Sequence, residues 1–278
     1  MTFVVASADA VPAAALRDCL NASFADYLIS FPTFDDEGWR AFVRRQGVDL
    51  SLSLAALRGD VVTAFALITP RSLLRARVAV MGARPDERGS GAAARLLDNS
   101  IAAAAARGNV SIELEAFAQN ERAVRLYRSR GFDAVCSLYG FEAPSGTGIG
   151  RDADVVEISQ EDAARWANAL DRDIGVALPM QVCGEAILNA PAAPSVWRLG
   201  SAQLAFHASN GGVSVMSLLD GDATYADATR LLMSLRCKFP DHALRAPQLH
   251  RDDGPARAFE RAGWNRAPLC QFLMRREL

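Results

Sequence analysis

Gly89 and Gly91 lie in residues 79–97, where an apolar run gives way to Pro85-Asp86 and then to the alanine-rich Ala92-Ala93-Ala94. A strand, a short turn and a glycine-containing loop opening into a helix leave several backbone amides unpaired at the positive end of the helix dipole. Glycine carries no side chain to hold a ligand off those amides, so the pattern suits an anionic diphosphate. Arg88 either adds charge or fixes the loop. The same letters also fit a plain loop entering an amphipathic helix. They fit neither the Walker cradle, because no Gly-Lys-Ser/Thr follows, nor the dinucleotide fingerprint, whose spacing differs. His207, His242 and His250 all fall in the second half, which excludes Ser-His or Cys-His nucleophilic catalysis within the first. Cys237, His242, His250 and Cys270 match no common zinc spacing, and no metal site is expected.

The elements that would position this loop follow from periodicity. Residues 2–6 read as a strand and 10–28 as a helix, with Leu16, Leu20, Phe24, Tyr27 and Leu28 recurring at three and four. A short helix is predicted over 35–45, then strands over 50–57, 61–68 and 76–81, with Arg58-Gly59-Asp60 as the first hairpin turn. A helix over 91–107 stops at Gly108-Asn109, and a strand over 111–117 precedes a helix capped by Asn120 and ending at Gly131. A strand over 134–139 closes the half.

Residues 142–152, rich in Gly, Ser and Pro, read as a linker, after which the order starts again. Strands are predicted over 155–158, 196–198, 203–207 and 213–219, and helices over 160–173, 225–235 and up to Gly263. Residues 123–132 align without gaps with 255–264, and Val78-Ala79-Val80-Met81 resembles Val213-Ser214-Val215-Met216 at a similar distance upstream. Shared order and spacing indicate a tandem repeat.

Arg88-Gly89-Ser90-Gly91-Ala92-Ala93 resembles in full the Arg/Gln-x-x-Gly-x-Gly/Ala loop of the GCN5-related N-acetyltransferase (GNAT) superfamily. Asn120 and residues 123–132 resemble that family's second signature, in the correct order and with strand 111–117 between the two. The resemblance covers roughly residues 75–135 and extends more loosely to residue 1. It implies an α+β, three-layer fold made of two tandem GNAT-like domains, each a mixed, mostly antiparallel central sheet flanked by helices. The expected boundaries are 1–141 for a catalytic domain, 142–152 for the linker and 153–278 for a degenerate domain lacking the pyrophosphate loop. It also implies acetyl-CoA as co-substrate, with the strand ending at Met81-Gly82-Ala83 splayed from strand 111–117. Backbone groups of Met81 and Ala83 would pair with the pantetheine arm, the amides from Gly89 to Ala93 would hold the diphosphate, and Asn120 would contact the arm or simply cap its helix.

Transfer of an acyl group to an amine needs a neutral nucleophile, an oxyanion site and a proton for the departing thiolate. Tyr127 occupies the family position of the general acid, and a phenol of pKa about 10 is protonated at neutral pH. Glu115, with Glu113 beside it on one strand face, is a candidate base acting through water; both could instead be edge or surface charges, and Asp35, Asp36 and Glu37 are weaker candidates. In the second copy Tyr127 becomes Phe259 and Asn120 becomes Asp252, and Asp220 and Asp222 put negative charge where a diphosphate would sit. That copy is expected to pack rather than to bind cofactor.

Composition narrows the partners. Half of the residues are apolar, 22% are charged and the net charge is −2, with no basic stripe, which argues against nucleic acid. Five well-separated cysteines suggest reduced thiols in the cytoplasm, and neither a signal peptide nor a run of ~18 apolar residues is expected. The expected acceptor is a small-molecule amine, and the expected state is a monomer with an internal pseudo-dimer, or a homodimer. The alternative functional reading is a non-catalytic acyl-CoA-binding regulatory module.

Overall fold

A computed structural model describes residues 3–144, 146, 154–173 and 178–278. Their contacts divide the chain into two units: residues 3–116, 120–134 and 274–278 form one, and residues 117–119 with the described part of 135–273 form the other.

In the first unit the order is β1 (Val4–Ser7), α1 (Ala13–Phe24), α2 (Asp36–Arg45), β2 (Asp49–Arg58), β3 (Val61–Pro70), β4 (Arg75–Ala83), α3 (Ala92–Ala106), β5 (Ser111–Phe117) and α4 (Glu121–Arg128). β1 to β4 pair antiparallel in sequence order, and β5 runs parallel to β4. β3 is buried from Val62 to Thr69, so its apolar run is covered on both faces. On one face Leu16, Leu20, Trp39 and Phe42 of α1 and α2 meet Phe65 and Leu67. On the other, Ala92 and Leu96 of α3 meet Ala56, Ala64 and Ala66, small residues that let an alanine-rich helix come close. The Ala-rich composition of α3 gives it high helix propensity, and Leu96, Leu97, Ile101 and Ala104 supply its inward stripe.

The second unit contains most of β6 (Asp133–Glu142), followed by β7 (Val156–Glu157), α5 (Gln160–Asp173), α6 (Gly184–Leu188), β8 (Ser195–Leu199), β9 (Ala202–Ser209), β10 (Gly212–Asp220), α7 (Ala226–Lys238), β11 (Leu244–Arg251), α8 (Pro255–Arg261) and most of β12 (Asn265–Glu277). From β7 to β12 the order of strands and helices repeats that from β1 to β6. The repeat extends to detail: β10 and β11 are again the parallel pair, and α4 and α8 both end just before a left-handed glycine, Gly131 and Gly263. The fold class is therefore α+β, a mixed sheet flanked by helices, built twice.

Two points differ from the sequence reading. The contact units do not follow the expected boundary at 141. β6 bonds antiparallel to β11 through Glu142–Arg245 and Phe141–Ala246, so its contacts lie in the second unit, while residues 274–278 belong to the first, where the Leu278 amide donates to Val110 O at 3.0 Å. Strand pairing, not chain order, decides the boundary. Most of the expected linker, residues 145 and 147–152, lies outside the described residues. Second, α6, β11 and β12 were not legible. β11 carries Pro247 and two arginines, and it is a strand because β10 and β6 flank it; the proline falls at the irregularity in the β6–β11 ladder.

Candidate acyl-CoA site in the first unit

β4 and β5 stay together only at Arg75–Ser111, Ala76–Ile112 and Arg77–Glu113, and then part. The later residues of β4 keep their other neighbour, with Met81, Gly82 and Ala83 opposite Ala66, Phe65 and Ala64 of β3. The Arg84 amide donates to Thr63 O at 2.9 Å across that ladder. In an antiparallel pair such bonds alternate, so the polar groups of Met81 and Ala83 turn the other way, into the opening that β5 has left. Gly82 serves the packing behind: a Cβ there would stand 3.0 Å from Ser23 Cβ of α1 and 3.2 Å from Phe65.

Beyond β4 the chain makes a 3-10 turn at Pro85–Glu87, then reaches α3 through Gly89 and Gly91, at φ 88° and 86°. Both are left-handed, and nothing lies within 4 Å of where either Cβ would be. The first intrahelical bond of α3 is Arg95 N to Gly91 O at 3.0 Å, so the amides of Ala92, Ala93 and Ala94 have no helical acceptor. Ser90 Oγ accepts from the Ala92 amide at 3.3 Å, a long bond, and the Ser90 amide donates to Glu87 O at 3.2 Å. The amides left without a bond in this segment are thus those of Gly89, Gly91, Ala93 and Ala94, rather than every amide from Gly89 to Ala93. Arg88 does not point a free charge at this cradle. Its guanidinium grips Asp26 at 2.6 and 2.5 Å and Ser23 O at 3.1 Å, which ties the loop to the end of α1. On the other side Arg58 holds Glu87 at 2.8 Å.

Asn120 caps α4, its Oδ1 accepting from Ala123 N at 3.2 Å, and its side chain also bonds the Tyr27 hydroxyl. Tyr127 is buried on the inner face of α4, 6.0 Å from the Phe132 ring. Burial, followed by the proximity of Tyr27, pushes its phenol well above the ordinary range, with no hydrogen bond to offset the shift. Tyr127 therefore keeps its proton at any physiological pH. Tyr27 is the residue that sequence reasoning missed here. It reads as an inward helical position, yet α1 ends at Phe24, and the following turn carries Tyr27 to Asn120.

Glu115 is ion-paired through one of its two oxygens. Arg77 donates to Glu115 Oε2 through Nε at 2.8 Å and lies within 2.7 Å of it through Nη2, while Nη1 binds Gln46 Oε1 at 3.1 Å. Both side chains of the pair are buried, at 1% and 4% exposure. That oxygen is committed to holding the sheet together, while Glu115 Oε1, also buried, has no hydrogen-bond partner. Glu113 lies in the same layer, 3.4 Å from Arg71 and 3.5 Å from Arg275, and burial raises its carboxyl above the usual range against the pull of Arg71. Asp35 is equally occupied as the cap of α2, accepting from Gly38 N at 2.8 Å, and Asp36 pairs with Arg17. Glu37 is exposed. Cys19 is no nucleophile, because burial pushes its thiol up to about 11. Around the α1–α2 connection stands an aromatic wall, with Phe24 stacked on Phe31 at 4.5 Å and Phe34 against Phe42 at 5.1 Å.

The sequence profile of the acetyltransferase (GNAT) family matches residues 15–132, and that segment is a domain of this family. No curated protein matches the chain in sequence. Among solved structures the chain is similar to a GCN5-related N-acetyltransferase from Sphaerobacter thermophilus, with TM-score 0.66, 15% identity, and coverage of 99% of this chain and 95% of that one. A putative acetyltransferase from Pyrococcus horikoshii gives TM-score 0.67 at 15% identity over 99% and 89% of the two chains. A GCN5-related N-acetyltransferase from Kribbella flavida gives 0.65 at 16% over 99% and 72%. At such identities these structures establish the fold alone. Among the described residues no helix is long and apolar enough to cross a membrane.

Proposed function

We propose that the first unit transfers an acetyl group from acetyl-CoA to the amine of a small-molecule acceptor by direct attack in a ternary complex. The observation that carries this reading is the parting of β4 from β5 beside a loop whose amides at Gly89, Gly91, Ala93 and Ala94 have no acceptor in the chain. The diphosphate would rest on those amides, and the pantetheine arm would lie along Met81, Gly82 and Ala83. Arg88 acts by fixing the loop, and Asn120 and Tyr27 bound the arm near Tyr127. Tyr127 would give its proton to the departing thiolate as the thioester C–S bond breaks and the C–N bond forms, and the proton lost by the amine nitrogen would return through water to the Tyr127 phenolate. The aromatic wall would bound the acceptor, which must arrive as the free amine because Glu113 and Glu115 are engaged with arginines.

That last observation also favours a second reading, a non-catalytic acyl-CoA-binding regulatory module. An amine screen with thiol-release detection separates the two, after a thermal shift with acetyl-CoA. Saturable stabilisation and turnover that falls at least ~100-fold in Tyr127→Phe, with CoA affinity retained, support the enzyme. Stabilisation without turnover supports the module, and no stabilisation at saturating acetyl-CoA removes both.

A further inference from the structure

In the first unit, the end of the sheet where β3 turns into β4 carries an apolar patch that the chain leaves uncovered. Leu73 and Leu74, in that connection, are 93% and 56% exposed, and Val110 and Leu278 beside them are 48% and 37% exposed. Backbone bonds tie the four into one surface. Leu74 O accepts from the Val110 amide at 2.7 Å, Leu73 O accepts from Asn109 Nδ2 at 3.2 Å, and Val110 O accepts from the Leu278 amide at 3.0 Å. The tip itself is held in shape. Ser72 Oγ accepts from the Leu74 and Arg75 amides at 3.2 and 3.1 Å, and Arg75 O accepts from the Arg71 and Ser72 amides at 3.0 and 3.1 Å. Single exposed leucines are ordinary, but contiguous apolar side chains on a fixed support mark a surface that another molecule covers.

Shape and charge select that molecule. Leu73 stands almost wholly in solvent, whereas Val110 and Leu278 are partly covered, so the patch has a projecting half and a flatter half. A two-fold axis sets the projecting half of each of two copies on the flatter half of the other, the self-complementarity that an isologous contact requires. Arg107, at the end of α3, and Glu277, next to Leu278, flank the flatter half. Both are exposed, and neither has an ion-pair partner among the described residues. Each copy thus offers one cation and one anion beside its patch, and two copies exchange them in two equal pairs. A lipid surface suits the patch less: Glu277 would face anionic headgroups, and Arg71, at the base of the tip, is buried against Glu113 rather than turned outward.

We propose that two copies of this chain associate through this patch as a two-fold dimer. Leu73 and Leu74 of each copy pack on Val110 and Leu278 of the other, and Arg107 of each faces Glu277 of the other. A patch of this size makes a reversible contact, with Kd on the order of 10 µM. The dimer is independent of the acetyl-transfer reading, since no residue of the cofactor site takes part.

The test is sedimentation velocity of the full chain from about 1 to about 300 µM, where wild type is expected to pass from monomer to dimer. Leu73→Asp should weaken association at least ~30-fold with little change in Tm, because the side chain is exposed, and Leu74→Asp should do the same. Arg107→Glu and Glu277→Arg should each weaken it at least ~5-fold, and the two together should restore the wild-type Kd, as only a contact between two copies of this one surface predicts. The proposal is overturned if wild type stays monomeric over that range, whether or not it sediments with anionic vesicles. It is equally overturned if both aspartate variants dimerise like wild type, or if the charge exchange fails to restore affinity.

Discussion

Gly91→Ala tests the cradle directly, because its structural and functional effects separate. Nothing lies within 4 Å of the added Cβ, so the folded chain meets no clash, and the cost is the left-handed backbone at φ 86°. For a residue with a Cβ that amounts to about 1 kcal/mol, a fall in Tm of about 3 °C for a domain of this size. The same methyl projects from the loop onto which the diphosphate must settle. Lifting the phosphates off even one amide removes a charge-assisted hydrogen bond of about 2 kcal/mol, or ~30-fold in Kd. Calorimetric titration of wild type and variant with CoA and with pantetheine separates the contributions. CoA should weaken ~30-fold, whereas pantetheine, which lacks the diphosphate, should not change. A variant that melts lower but binds CoA within about twofold of wild type would refute the cradle.

The remaining expectations concern the supports of the site and of the second unit. Ser90→Ala removes the 3.3 Å bond to the Ala92 amide; it should lower stability by about 0.5 kcal/mol or less in denaturant melts and leave CoA affinity equal or higher, because one more amide is freed. Arg77→Met leaves the buried Glu115 carboxylate without its partner, and should cost about 3–5 kcal/mol in the same assay, whereas replacing both residues by apolar ones should recover much of it. His250 has a folded pKa of about 3, below an unfolded value of about 6.5, so its contribution is full above pH 6.5 and is lost as pH falls towards 3. Wild type should lose about 2 kcal/mol between pH 8 and pH 5 on this account, and His250→Gln should show a correspondingly flatter profile; identical profiles would contradict it.

Legibility was uneven for physical reasons. Strands β2 to β5 and helices α2 and α3 were readable to within a few residues, because each carries its own apolar period and turn residues. The strand–turn–glycine–helix pattern at residues 79–97 is likewise local, since glycine sets the left-handed backbone wherever it stands. The partner of Glu115 was not legible, because strand alternation places a carboxylate on a face without saying what lies opposite. Arg77 comes from the neighbouring strand and Gln46 from the end of α2, and only the packed sheet brings them together. Arg88 shows the same limit: the sequence allowed either a free charge or a clamp, and the arrival of Asp26 from α1 chose the clamp.

By itself, then, the order of residues determined the doubled α+β pattern and the place of the glycine loop, since both rest on interactions between near neighbours in the chain. Tertiary structure alone decided which amides remain free, which carboxylates are spent on arginines, where Tyr27 and Asn120 meet, and that β6 pairs with β11. Those outcomes depend on groups far apart in sequence, and a hydrogen bond or ion pair of that kind exists only after the burial that brings its two ends within reach.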